Sequence, residues 1–432
     1  RFLPFKSGNR LTFCLRLVVL LARLKGFEKL TGVDDALHLF LEEELKPARL
    51  GVDCVPLSEA LERVAAENIV APSDLPSFDR SAMDGYAVRA CDTFEASQFK
   101  PRLLKLTEKD SVDEGEAKQV WTGGMLPKGA DAVVMLEHTR KVENGIEVLA
   151  AVTPGENVSK RGEDVRKGEV VVKAGVRLLP QHLGLLAGLG ITHINVARKP
   201  EVALLSTGNE LVELGQKPEP GQVINVNQLI LSAMCKQLGA EFVNLGIARD
   251  DLNEISGKIA EGLKQADVVV TTGGTSVGYA DLVPVAINKV GKPGVIVHGI
   301  AMRPAMPTAL AIVQGKPVFI LSGYPVAAMF GFEVFVRPTI LRLLGIKQEP
   351  RPMLKARLTR RVASALGRRV YLRVFAFQKE GEFFAEPIRT RGSGVLSTMT
   401  KANGYIVIPE DREGLEEGET VIVNLFDKIG GI

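Results

Sequence analysis

The chain has 432 residues, which at roughly 150 residues per domain calls for about three domains and a sizeable core. Charged residues make up 24% and the formal net charge is +3, so the clear basic excess of a nucleic-acid binder is absent. With 43 Gly and 23 Pro the chain is rich in turns without the tract composition of disorder or collagen, and it reads as an ordinary soluble globular protein.

In chain order, residues 1–26 read as an N-terminal extension. Its apolar stretch 17–22 is preceded by Arg16 and closed by Arg23, no A-x-A site follows, and its length falls short of the roughly 20 residues of a membrane span. A helix is expected from near Thr31, where Asp34, Ala36, Leu37, Leu39, Phe40 and Leu41 follow a largely helical pattern. Residues 51–149 are mixed, with a helix at 57–67 and short strands such as 132–136. The stretch 155–175 is β material punctuated by glycine.

Segments 27–50 and 150–178 are each too short to fold alone. They are expected to form one discontinuous β-rich or linker domain, with 51–149 inserted as a mixed α/β domain. Over 179–346 apolar strands (202–205, 242–247, 268–270, 318–321) alternate with helices (227–238, 252–265, 282–289, 326–344). That alternation marks a doubly wound parallel α/β domain. Alternating runs at 371–377, 405–408 and 420–424 within 347–432 indicate a small C-terminal β domain. No internal repeat is present.

The cysteines, Cys14, Cys54, Cys91 and Cys235, are far apart, which fits a reducing cytoplasm better than a disulfide framework. His38, His138, His182, His193 and His298 are dispersed and write no zinc ligand set, so a metal here is expected to have oxygen ligands.

Three loops at strand ends carry the chemistry, because open α/β sheets bind ligands beyond the carboxyl ends of their strands. The first, STGNEL, offers Ser206, Thr207 and Gly208 with Glu210 beside them. The second, TTGGTSVGYAD, combines Gly273 and Gly274, which allow close backbone approach, with Thr275, Ser276 and Asp281, so that phosphate and metal can meet. The third is SGYP, Ser322, Gly323, Tyr324 and Pro325. Neither a P-loop Lys nor a G-x-G-x-x-G follows the glycines. A single such loop is most simply a ligand-free turn, whereas three in one sheet favour a binding site. Earlier in the chain Asp79 and Asp84 sit among turn formers, where turn chemistry and a functional role weigh about evenly. Thr122 lies in a Gly-rich turn, and Asp131 reads as structural. KRGEDVRKGE at 160–169, including Asp164, is either a solvated charged face or a place where an anion and a cation are held together.

These strings in this order resemble the molybdopterin molybdenumtransferase family, of the MoeA and gephyrin E-domain type. The resemblance runs from about Leu39 to the end, through PSFDRSAMDGYAV, TGGMLPKGADAVV, SKRGEDV, STGNEL, TTGGTSVGYAD, the 302–307 segment, FEVFVRP and GSGVLSTMTKANGYIVIP. It implies an elongated homodimer of four-domain subunits, with an active site between the α/β domain of one subunit and the middle domain of the other. It further implies a cytoplasmic enzyme of molybdenum cofactor biosynthesis that inserts molybdate or tungstate into adenylylated molybdopterin and releases AMP with Mg²⁺ assisting. The molybdopterin adenylyltransferase is a possible partner; neither nucleic acid nor membrane is. By motif position Glu210 and Asp281 would hold Mg²⁺, and Ser206–Gly208 and Gly273–Ser276 the pterin phosphate and adenylate. Asp79, Asp84, Thr122 and Asp164 would orient the cation, oxyanion or a water, and Arg303 would supply positive charge. Pro304-Ala305-Met306-Pro307 stands where the family typically has Pro-Gly-Lys-Pro. Ser322-Gly323-Tyr324-Pro325 stands where it typically has Pro-Gly-Asn-Pro, and Tyr279 replaces an often polar residue. These departures leave a non-catalytic pterin-binding carrier, or a scaffold relative, as the alternatives.

Overall fold

The computed structural model describes residues 30–45, 50–274, 281–347, 349–388 and 394–426. The expected extension 1–26 lies outside them. The chain divides into two units, Val52–Ala197 and the combination of Arg1–Gly51 with Arg198–Ile432.

In the Val52–Ala197 unit the chain enters and leaves through one antiparallel pair, Val52–Pro56 against His193–Ala197. Ile69–Val70 pairs with Val170–Val172, and Arg80–Ser81 with Val158–Ser159. Within these outer pairs lies a six-stranded sheet drawn from residues 85–148, with Val88, Ala117, Val134, Ile146 and Val148 in its core. The outer segments therefore differ from the expected 27–50 and 150–178. Residues 178–197 belong here because Ile194, Val196 and Leu186 pack with Ala65, Val172 and Leu178. The expected helix at 57–67 is a single 3₁₀ turn, Leu57–Glu59. Glu62, at φ 62°, takes the left-handed conformation that an α-helix excludes.

In the second unit a six-stranded sheet runs in the order Glu241–Ala248, Glu201–Thr207, Val268–Thr272, Lys316–Leu321, Ala309–Val313, Pro293–His298. The first four strands are parallel and the last two antiparallel. Val268, Val269 and Val270 are fully buried, as a strand covered on both faces requires. Alternate residues serve opposite layers. Ala203, Leu205, Val269 and Ile320 meet helices Leu252–Gln265 and Leu282–Val290, while Phe319 on the other face takes the ring of Phe40 at 5.3 Å. Residues 31–45 thus pack on this sheet, with Thr31 bonded to Gly299 and Ala301. Ala309–Val313 turns back into Lys316–Leu321 at Gln314 and Gly315, both with positive φ, a two-residue hairpin connection. The expected helix 326–344 is wound in three pieces, Pro325–Gly331, the π-helical Phe332–Val336 and Arg337–Leu343. Pro338 has no N–H for the α-helical ladder, and the winding adjusts beside it.

The C-terminal strands close into a barrel: Arg369–Lys379, Glu382–Pro387, Met353–Leu358, Thr420–Leu425 and Gly404–Ile408, which returns to Arg369–Lys379. Leu354, Val374, Ile406 and Val423 fill its core. A short strand from the α/β portion, Met302–Arg303, joins it in parallel, with Met302 opposite Arg369 and Arg303 opposite Val370.

Two glycines of helix Leu252–Gln265 test how closely that helix lies on the sheet. A Cβ at Gly262 would sit 2.8 Å from Leu245 Cδ1 and 3.1 Å from Ala203 Cβ, whereas a Cβ at the exposed Gly257 meets nothing within 4 Å. Gly257→Ala is expected to raise Tm through the helix preference of about 1 kcal/mol. Gly262→Ala is expected to lower it, because overpacking costs about 1–3 kcal/mol against the same gain. Thermal unfolding of the two variants checks the opposite signs.

Candidate active site

In the Val52–Ala197 unit three turns meet. Leu126 N donates to Asp79 O and Gly123 N to Ser81 O, which sets the Gly-rich turn beside the 79–84 loop. Asp79 accepts hydrogen bonds from Arg161 N at 2.8 Å and Lys160 Nζ at 3.2 Å. The first of these, aided by the ammonium, holds its carboxyl below the usual carboxylate range. Asp84 Oδ1 accepts from Thr122 N at 2.8 Å and Thr122 Oγ1 at 2.7 Å, and the backbone bond leads in lowering its pKa. Both carboxylates are therefore ionised at neutral pH and held by fixed donors. Asp164 is exposed on the same 158–164 segment, its N–H bonded to Leu75 O. Sequence reading missed Asp74, which accepts from Arg161 Nε at 2.6 Å and Lys167 N at 2.8 Å and so anchors the basic turn. Its only sequence signal was an Asp near a proline.

At the carboxyl ends of the parallel strands the three expected loops converge. Gly273, at φ 92°, lies where a Cβ would come within 2.4 Å of Thr207 O, and a Cβ at Gly323 would reach 3.6 Å from Gly273 Cα. Only glycine permits the first approach. The hydroxyls here are largely spent on the protein itself. Ser206 and Thr207 are 3% exposed. Thr272 Oγ1 donates to Ser206 Oγ at 3.2 Å, Ser206 Oγ donates to Asn225 Oδ1 at 3.0 Å, and Thr207 Oγ1 donates to Thr272 O at 3.3 Å. Gly208 N and Gly273 N donate to Ala248 O and Leu321 O. Asn227 Nδ2 donates to Gly323 O at 2.8 Å. Gly274, at φ 62°, packs against Val283; Thr275, Ser276 and Tyr279 lie outside the described residues. Glu210 is exposed, its carboxylate within 2.7 Å of the position a Cβ would take at Gly208. Asp281 precedes helix Leu282–Val290 and is partly buried; its Oδ1 has no hydrogen-bond partner among the described residues, and its Oδ2 lies 3.7 Å from His298 Nε2.

Beside these loops is a cleft of about 710 Å³, walled by residues 302–307, Ser322 and Tyr324 on one side and the barrel on the other. Among the described residues its lining carries five arginines, Arg303, Arg360, Arg361, Arg368 and Arg373, and no acidic residue. Arg360 donates to Pro387 O and Arg361 pairs with Glu416, while Arg303 and Arg368 make no ion pair among the described residues. Arg373 is 5% exposed, and burial, reinforced by the charge of Arg303, lowers its pKa. Guanidinium groups gathered in one cleft carry the charge and the donor geometry that suit an anion. Of these arginines only Arg303 was singled out from sequence. The four barrel arginines sit in a stretch that reads as a plain solvated strand surface, so no motif marked them.

Known proteins resemble this chain along most of its length. Family profiles described as the MoeA N-terminal region (domain I and II), a probable molybdopterin binding domain and the MoeA C-terminal region (domain IV) match residues 31–190, 203–342 and 355–426. A molybdopterin molybdenumtransferase of Haemophilus influenzae is 34% identical over 92% of this chain and 99% of its own length. The one from Bacillus subtilis is 36% identical over 87% of this chain and 90% of its own. The chain belongs to the molybdopterin molybdenumtransferase, or MoeA, family. A crystal structure of the MoeA protein of Pyrococcus horikoshii, 34% identical and covering 92% of this chain and all of its own, superposes with a TM-score of 0.81. The doubly wound α/β portion, the inner β-rich sheets and the closed C-terminal barrel are therefore the fold of MoeA proteins.

A MoeA-type reaction implies a divalent cation, and the donor set can be tested against it. No group of three or more His, Cys, Asp or Glu side chains gathers among the described residues. Mg²⁺ usually takes only one or two carboxylates and completes its shell with water and substrate phosphate. Asp281, with an unsatisfied buried oxygen, and the exposed Glu210 suit that pattern.

Burial pushes the Asp281 carboxyl up to about 7 and lowers the pKa of His298. An acid whose folded pKa lies above its unfolded value of 3.8 loses stability as pH rises through that interval. In cation-free buffer, Asp281→Asn is therefore expected to raise Tm more at pH 8 than at pH 4. Thermal unfolding at both pH values checks this, and an equal gain at both would contradict it.

Proposed function

We propose that the protein transfers molybdenum or tungsten, taken as molybdate or tungstate respectively, onto the dithiolene of adenylylated molybdopterin and releases AMP, with Mg²⁺ assisting. The observation that carries this reading is the arginine cleft. A tetrahedral dianion and the phosphates of an adenylylated pterin are both anions, and Arg303 and Arg373 both line the cleft that would receive them. Ser322 Oγ, 4% exposed in the same wall, accepts from Tyr324 N at 3.2 Å and keeps its own proton to give to an oxyanion. Glu210 and Asp281 would hold Mg²⁺, which when bound neutralises charge developing on the phosphates. The Thr272–Ser206–Asn225 chain and the close approach of Gly273 to Thr207 hold the starts of the first two loops at a fixed spacing. Asp79, Asp84, Thr122 and Asp164 orient the cation, the oxyanion or a water. In this reading the protein is a homodimer, and its adenylylated substrate comes from a molybdopterin adenylyltransferase. No described helix is long and apolar enough to cross a membrane.

Met306 favours a second reading. It lines the cleft with an apolar side chain where the resemblance calls for Lys, which suits a carrier that binds the pterin without metal chemistry. AMP release from adenylylated molybdopterin, measured with Mg²⁺ and with molybdate or tungstate in parallel, separates the two. Release that depends on oxyanion is expected; pterin binding without release would establish the carrier. Met306→Lys adds a cation to a wall that already attracts anions and is expected to tighten tungstate binding about tenfold, the worth of one charged hydrogen bond. Calorimetric titration with tungstate checks it, and an unchanged affinity would place the oxyanion elsewhere.

A further inference from the structure

We propose that Tyr324 is a stacking platform for a planar heteroaromatic ring, so that the cleft takes a two-part ligand, its ring on Tyr324 and its anionic group among the arginines. This rests on the reading of the cleft as the substrate site and names what receives the substrate's flat ring.

Tyr324 is 63% exposed, although Val326, Ala327 and Ala328 just after it are buried at 2% or less. Leaving so large an aromatic surface in water forgoes its burial energy unless a ligand covers it. The ring is nonetheless fixed in place. Its main-chain N–H donates to Ser322 Oγ, its carbonyl accepts from Ala328 N at 2.9 Å, and Asn227 holds the preceding carbonyl of Gly323. Its Cδ1–Cε1 edge lies against Gly394, where a Cβ would stand 3.1 and 3.4 Å from those atoms. Glycine at 394 thus gives the ring a main-chain backing. The other aromatic residue of the wall, Tyr371, is 7% exposed and packs on Phe330 and Tyr405 with centroids 5.5 and 5.9 Å away. Among the described residues Tyr324 is therefore the aromatic surface the wall offers to a ligand, in the same cleft as the guanidinium groups that would hold a phosphate. Stacking on an aromatic side chain tolerates any flat heterocycle, so the ligand class is a nucleotide-like or pterin-like ring bearing a phosphate.

Calorimetric titration of the full-length protein with AMP, which has both parts, with ribose 5-phosphate, which lacks the ring, and with tungstate tests the proposal. In Tyr324→Ala, AMP binding is expected to weaken about tenfold, the size of one ring stack, and in Tyr324→Phe by less than about twofold. Ribose 5-phosphate and tungstate are expected to bind both variants as they bind the unaltered protein. Equal AMP affinity in Tyr324→Ala and the unaltered protein would overturn the proposal, as would an equal loss of AMP and ribose 5-phosphate binding. Failure of the transferase reading shows separately: AMP then stacks as expected while oxyanion-dependent release is absent.

Discussion

The arrangement depends on one backbone register that sets two positive charges in the same wall. Met302–Arg303 pairs in parallel with the start of the long barrel strand, Arg303 opposite Val370, and Arg373 follows three residues on. Arg369 N donates to Ala301 O, and the Arg369 side chain grips Asp34 through two hydrogen bonds of 2.8 and 2.7 Å, with Glu410 on its other flank. The seam is filled by the rings of Phe330, Tyr371 and Tyr405. Burial and a like-charged neighbour both act against the charge on Arg373, and the fold accepts that cost because the barrel is locked to the α/β portion on both sides. The proposed anion would offset that repulsion when bound in the cleft.

The loops at the strand ends play a different part. Their hydroxyls and several of their N–H groups are committed to one another, so Ser206, Thr207 and Gly273 act as a frame rather than as a set of waiting donors. This frame sets Gly208 and Gly273, which flank the loops leading to Glu210 and toward Asp281, at a fixed spacing. Asp79 and Asp84 follow the same logic in their own unit, where backbone N–H groups hold each carboxylate ionised and still.

Much of the fold was legible because its signals are local. The parallel strands announce themselves as unbroken apolar runs, and the glycines of the Thr271–Gly274 turn mark where backbone must approach backbone. The hairpin from Ala309–Val313 to Lys316–Leu321 escaped because its connection, Gln314-Gly315, is not the Asn-Gly or Asp-Gly turn that betrays a hairpin. The residues after Thr31 pointed to a helix but not to its neighbour, since what fixes Phe40 is the ring of Phe319 some 280 residues later. The same limit hid the anion site. Arg360, Arg361, Arg368 and Arg373 are ordinary residues of a β strand and its turns until the barrel closes and turns them toward Arg303.

The central claim is that the oxyanion is held between Arg303 and Arg373. Tungsten scatters anomalously, so a crystal of the protein grown with tungstate locates the ion directly. The account predicts an anomalous peak inside the cleft, in contact with both guanidinium groups. A peak only at other sites, with the cleft empty at saturating tungstate, would contradict it.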